Sequence, residues 1–297
     1  DATFAVQQNL GQLYIAAEHY GKGVAVLEDW LAKAKPASVT PQLRVLLANA
    51  YFHQKAYANA AAQLRQALAA VSHPDKSWYQ LAAAVDQQWG RYADMAAVLR
   101  QALAVYPREK AFWQQRSAAY RETHDDRRAA AARALACGTG LCDERDTLYL
   151  AQLYLYLGAP LQAAPSLNDG IKQGRVSGDP EHWLLLAQSW QRAREIPQAE
   201  QAYREAARLD SGSGTAAYAL GQLYVQQENW DAAAAARAQA LVEAGVRDPG
   251  RARLLLGIAQ YGLGRKADAR RSLQASLQYP GSAKEARQWL KVMGEGG

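Results

Sequence analysis

A pattern of small and large apolar residues recurs through this chain at intervals of 34 to 37 residues, and no other feature limits its fold so tightly. The best-formed copy occupies residues 214–247, where Leu220-Gly221-Gln222-Leu223-Tyr224 is followed by Trp230, Ala233 and Ala240. Each copy reads as two helices, because apolar residues fall at i, i+3, i+4 and i+7 nearly end to end. Sustained period-2 alternation of β-branched residues is missing. One helical hairpin cannot bury its apolar face alone, so copies of this kind have to stack. The expectation is an all-α chain.

Copies begin near residues 4, 41, 75, 110, 144, 180, 214 and 250. Each is keyed by a Gly or Ala that lets two helices approach, an aromatic three residues later, and an Ala twelve residues after the small one. Ala48, Tyr51 and Ala60 illustrate this, as do Ala151, Tyr154 and Ala163. Residues 282–293, with Ala286, Trp289, Leu290 and Met293 on one side, read as a final capping helix. The whole of 1–297 is expected to form one repeat domain. Three irregularities stand out. The third copy, keyed on Ala82, needs an extra residue near Trp89-Gly90. In the fourth, Arg116 and Arg133 replace apolar residues. In the fifth, Pro165 falls inside the second helix, where it should kink or shorten it.

The copies resemble tetratricopeptide repeats, with the Trp, Leu-Gly/Ala, Tyr, Gly, Ala, Ala, Pro pattern partly filled in each. This resemblance covers essentially the whole chain. It implies a right-handed superhelical α-solenoid of about eight helix hairpins plus the capping helix, with a concave groove that binds partners. In that family the groove is lined by the second, fifth, ninth and twelfth places of each first helix. The ninth place here holds Gln152, Gln188 and Gln222 in three successive units and Asn49 in the second. Amide side chains in a row can hydrogen-bond an extended peptide backbone, being donor and acceptor at once. Gln is also a common residue on any solvated helix. Tyr79, Tyr149, Tyr156, Tyr218 and Tyr261 are the neighbouring candidates for rigid contact area, against the alternative that aromatics at helical spacing are core. The Lys and Asn set with which some family members clamp a C-terminal carboxylate is not matched, since Val45 stands where Lys is needed.

Charge is unevenly placed. The net +6 lies entirely after residue 246, where ten basic residues face four acids. Arg247, Arg251, Arg253, Arg265, Lys266, Arg270 and Arg271 form most of this basic cap, suited to an anionic surface or to an acidic protein. A solvated terminal repeat would look the same. Nucleic acid is not expected, as the rest of the chain is neutral. The five His form no ligand spacing, and GxGxxG, Walker and GxSxG motifs are absent, so neither an enzyme nor a cofactor is expected.

Cys137-Gly138-Thr139-Gly140-Leu141-Cys142 is the only cysteine pair. The two Gly allow a tight curl, and a structural disulfide in an oxidising compartment is the favoured reading. Two reduced thiols beside a loop are the alternative. No apolar run approaches the roughly 18 residues of a membrane span. The start at Asp1, without Met or a signal pattern, leaves room for an upstream anchor or export signal.

A second resemblance is narrower. Leu148-Tyr149-Leu150-Ala151-Gln152-Leu153-Tyr154-Leu155-Tyr156-Leu157-Gly158-Ala159-Pro160, Trp183 to Gln188, Pro249-Gly250 with Leu254 to Ala259, and Ala286-Arg287-Gln288-Trp289-Leu290 are similar to the tetratricopeptide accessory proteins of bacterial TonB–ExbB–ExbD energy-transduction systems. That resemblance implies a noncatalytic periplasmic scaffold, tethered to the inner membrane, with the periplasmic regions of TonB, ExbB or ExbD as partners. A scaffold for another envelope machine, in pilus assembly or exopolysaccharide export, is the alternative.

Overall fold

The computed structural model describes residues 2–209, 214–242 and 248–295. Among these residues it contains seventeen α-helices, one short 3-10 turn at Pro36–Ser38 and no strand. The chain divides into two compact units, Asp1–Cys142 and Asp143–Gly297.

The first unit comprises four antiparallel helix pairs: α1 (Ala2–Ala16) with α2 (Tyr20–Lys33), α3 (Pro41–His53) with α4 (Tyr57–Ala69), α5 (Lys76–Gln88) with α6 (Tyr92–Val105), and α7 (Lys110–Glu122) with α8 (Asp126–Gly138). The second contains α9 (Glu144–Tyr156) with α10 (Pro160–Lys172), α11 (Pro180–Arg192) with α12 (Ile196–Leu209), α13 (Thr215–Gln226) with α14 (Trp230–Val242), and α15 (Pro249–Gly262) with α16 (Lys266–Ser276). A last helix, α17 (Pro280–Glu295), packs on α15 and α16.

Local chemistry explains where these helices start and stop. Thr40, Asp75, Asp143 and Asp248 each accept a backbone N–H of the helix that follows, and Asp143 and Asp146 complete a capping box. The first helix of every pair ends identically. A residue with φ between 56° and 74° stands at position 18, 55, 90, 124, 158, 194, 228 or 264. The N–H after it returns to a carbonyl five residues back, as in His19 to Tyr14, Ala56 to Tyr51, Arg91 to Asp86 and Glu195 to Trp190. This is the Schellman closure. Gly fills it at 90, 158 and 264, but Glu18, Lys55, His124, Arg194 and Glu228 adopt the left-handed conformation despite their Cβ.

These closures also correct the register of the third pair. Its small residue is Ala83, not Ala82, so the extra residue precedes α5 in the Ser72-His73-Pro74 connection and none is inserted near Trp89. Asp86 occupies the place where an aromatic would have marked the phase.

Packing within six of the eight pairs follows one small-to-apolar offset. A small residue on the first helix faces a large one sixteen positions later: Gly11 and Leu27, Ala48 and Leu64, Ala83 and Leu99, Ala151 and Leu167, Ala187 and Tyr203, Gly257 and Leu273. The large partner is at most 2% exposed every time. A methyl group at Gly257 would come within 2.7 Å of Leu273, so the helices approach only because that side chain is absent.

Pro165 does not break its helix. α10 runs unbroken for 13 residues, the length of its neighbours α9 and α11. The carbonyl deprived of a hydrogen bond belongs to Leu161, an exposed first-turn residue, where water can replace the partner. Arg116 is accommodated by donating to the Tyr120 hydroxyl at 3.0 Å, its guanidinium over that ring.

Cys137 and Cys142 are joined by a disulfide, with Cα atoms 4.7 Å apart. Gly140, at φ +77°, supplies the reversal, and Leu141 donates to the Ala136 carbonyl. Titration of the denatured, unreduced chain is expected to find no free thiol. Reduction is expected to lower the stability of the first unit by about 2 kcal/mol, the chain-entropy value for so short a loop. Two titratable thiols would remove the bond.

Candidate binding surface

The second unit positions the longest run of candidate contact residues. Gln152 on α9 and Gln188 on α11 are exposed, and Gln222 on α13 is half-buried. Each follows the small residue whose Cβ side faces the paired helix, so each lies beside the core rather than in it. Gln222 Nε2 donates to the Tyr218 hydroxyl one turn back, at 3.4 Å. Neighbouring first helices also touch directly: Gln191 Nε2 on α11 donates to Gln226 Oε1 on α13 at 3.4 Å, while the Tyr203 hydroxyl donates to Gln191 Oε1 at 2.7 Å. Sequence reading passed over Gln191 and Gln226, although the i+3/i+4 spacing from Gln188 and Gln222 carries the same face onward.

The aromatic candidates separate by burial. Tyr156 is 76% exposed at the end of α9. Tyr149, Tyr218 and Tyr261 are half-buried, and Tyr261 meets Trp289 edge to face at 5.9 Å. Tyr79, in the first unit, is a correction. At 4% exposure it is core, packed edge-on against Tyr106, and has no face to offer a ligand. Burial raises its phenol pKa above the usual value, with the neighbouring Tyr106 as the second cause. Asn49, also in the first unit, is half-buried.

Beneath Tyr218 lies a residue that sequence reading missed. Arg237 on α14 is fully buried, and its guanidinium carbon sits 3.9 Å from the centre of the Tyr218 ring. None of its three guanidinium nitrogens has a hydrogen-bond partner among the described residues. Burial pushes its pKa down to about 10, so it is a cation at neutral pH, held against the ring's π face. The offset of sixteen from Gly221 is the signal that locates it. A methyl at Gly221 would meet the Arg237 side chain at 2.7 Å, so the glycine makes room for the cation where six other pairs hold Leu or Tyr.

The basic residues near the C-terminus are less uniform than their sequence suggests. Arg247 lies outside the described residues. Arg251, Arg265, Lys266, Arg270 and Arg271 are exposed, but Arg265 lies 3.7 Å from Asp231 and Arg271 pairs with Asp268. Arg253 is half-buried and bonds the Pro249 carbonyl and the Tyr279 hydroxyl. Its role is to tie α15 to the turn before α17.

Antiparallel helix pairs, with a recurring small-to-large offset and one turn closure, define a helical-repeat protein. The chain belongs to the tetratricopeptide repeat family, whose model matches residues 9–74, 148–214 and 218–290, more than half of its length. Proteins of this family are generally noncatalytic scaffolds that bind protein partners. Among solved structures, one chain of Naa15/Naa10 bound to HypK-THB is 15% identical over 85% of this chain and 39% of its own, with a TM-score of 0.61. The MamA protein is 21% identical over 59% of this chain and 94% of its own, at 0.49. A tetratricopeptide repeat protein from Parabacteroides merdae is 12% identical over 88% and 100%, at 0.43. These likenesses concern the fold. No curated protein matches the sequence. No helix among the described residues is long and apolar enough to cross a membrane.

Proposed function

We propose that this protein is a noncatalytic scaffold whose second unit holds an extended segment of a partner protein along α9, α11 and α13. The observation that carries this reading is the placement of Gln152, Gln188 and Gln222 at equivalent points of three successive first helices, beside their cores and open to solvent or nearly so. Gln191 and Gln226 add a second amide line on the same helices. The resemblance to accessory proteins of TonB–ExbB–ExbD systems supports periplasmic regions of those three proteins as partners, and the Cys137–Cys142 disulfide is compatible with an oxidising compartment.

The test is a binding titration of purified periplasmic segments of TonB, ExbD and ExbB. One of them is expected to bind, and Gln188→Ala with Gln222→Ala is expected to weaken it about tenfold, the loss of two hydrogen bonds at roughly 0.5–1.5 kcal/mol each. Repeating the titration at high salt separates the amide contacts from the exposed arginines, whose contribution is screened. Unchanged affinity in the double variant would discard the amide row, and binding to none of the three would discard the TonB assignment.

A further inference from the structure

Six hairpins place Tyr14, Tyr51, Tyr120, Tyr154, Trp190 or Tyr224 at the carbonyl that closes the first helix, and the third hairpin places Asp86 there. A carboxylate is far shorter than an aromatic ring, and a cavity of about 290 Å3 lies at this point, between α4 and α6 with α5 as its floor. Leu64, Leu68 and Val98 supply apolar wall, and Asp94 and Arg65 stand at its edge, both exposed. Asp86 itself is only 7% exposed and lines the cavity. No hydrogen bond or ion pair to its carboxylate occurs among the described residues, whereas Asp94 is paired with Arg91 at 3.1 Å. Buried carboxylates are ordinarily paired, because an isolated one loses its hydration with no return.

We propose that this cavity binds an alkyl cation, an ammonium or guanidinium group on an aliphatic stem, with Asp86 pairing the charge and Leu64, Leu68 and Val98 covering the stem. The volume falls near the lower end of ligand pockets, which begin at roughly 300 Å3, so one side-chain-sized group fits and a folded element does not. Arg91 already pairs Asp94, which leaves Asp86 as the carboxylate to be matched, and a neutral apolar guest would leave it buried and unpaired. A free small amine and a Lys or Arg side chain of a partner share this chemistry. The cavity lies in the first unit and does not depend on the amide row of the second.

The site is also pH-dependent. Burial, and next the Asp94 charge, raise the Asp86 pKa to about 6, while Arg65 and Arg91 oppose them. A bound cation favours the ionised form, so affinity is full above pH 7 and falls as Asp86 protonates below 6.

Calorimetric titration of the full chain with butylguanidinium and with acetyl-Gly-Arg-Gly-amide tests the site, with butylurea as neutral control. At least one cation is expected to bind saturably, more weakly at pH 5 than at pH 7 by up to about tenfold, the ratio of ionised Asp86 at the two values, and butylurea is expected not to bind. Asp86→Asn should weaken binding at least tenfold and Asp86→Tyr, which restores the ring of the six aromatic hairpins, should abolish it. Circular dichroism confirms that both variants fold. Binding of butylguanidinium alone assigns a small free cation, and binding of the peptide alone assigns a partner's side chain. Saturable binding of neither, or equal binding by Asp86→Asn, overturns the proposal.

Discussion

Arg237→Met is expected to raise the unfolding free energy of the second unit by about 1–4 kcal/mol, the range found when buried charges give way to apolar side chains of similar volume. The physical reason is the fully buried guanidinium, whose nitrogens have no hydrogen-bond partner among the described residues and whose charge lies against Tyr218, with no carboxylate among the causes that set its pKa. Methionine fits the same unbranched path past Gly221 and removes the unpaired donors. The gain carries a pH signature. Arg237 has a folded pKa near 10, well below that of an ordinary guanidinium, so the folded chain holds fewer protons than the unfolded chain between the two values. Stability of the parent therefore rises with pH across that window relative to the variant, and the advantage of methionine shrinks above about pH 10. Urea titrations followed by tryptophan fluorescence at pH 7 and pH 10.5 measure both effects. A loss of stability at pH 7 would show that the cation has a partner in solution that outweighs its burial.

Leu223→Ala is expected to cost about 2–5 kcal/mol, and Gln222→Ala, one residue away, within about 0.5 kcal/mol. Leu223 is fully buried in the cluster that joins Leu186, Tyr203, Tyr224 and Ala233. Truncation there removes methyl groups from a site bounded on several helices, which cannot all relax into the space. Gln222 keeps one long hydrogen bond to Tyr218 and loses little by truncation. The same urea titration decides: a Gln222→Ala cost comparable to that of Leu223→Ala would make the amide a structural residue and remove it from the binding surface.

Helix pairing was legible because it is written twice, in the 3.6-residue apolar period and in the return of a small residue every 34 to 37 positions. The register of the third pair was not, because Asp86 replaces the aromatic that marks it elsewhere, and Ala82 and Ala83 both satisfy the small position. Glu18, Lys55, His124, Arg194 and Glu228 show why the left-handed turns were hidden. Five side chains with no special turn chemistry are forced into that conformation by the helices on either side. Pro165 shows local propensity yielding to packing, in a helix whose Ala163, Ala164 and Leu167 are fully buried. The binding surface was legible only in part. Helix phase places Gln152, Gln188 and Gln222 beside the core, but phase alone does not separate the half-buried Tyr149 and Tyr218 from Tyr79, whose ring is turned onto Tyr106. Arg237 escaped because a lone arginine on a helix is ordinarily solvated, and only its offset from Gly221 betrays it.

That offset has a bearing on how such a chain can be altered without being ruined. Gly221 and Arg237, or Ala187 and Tyr203, are complementary shapes carried on the two arms of a single hairpin. A duplication, deletion or exchange with breakpoints in the connections between hairpins transfers both halves of a pair together and leaves each fit intact. A breakpoint inside a hairpin, at the left-handed turn, would bring Gly221 opposite a leucine or Ala187 opposite an arginine. The inheritable module is therefore the pair that shares its own filler, and the tolerated seams in this chain fall before residues such as Pro41, Pro180 and Pro249, where a proline already marks the first turn of the next helix.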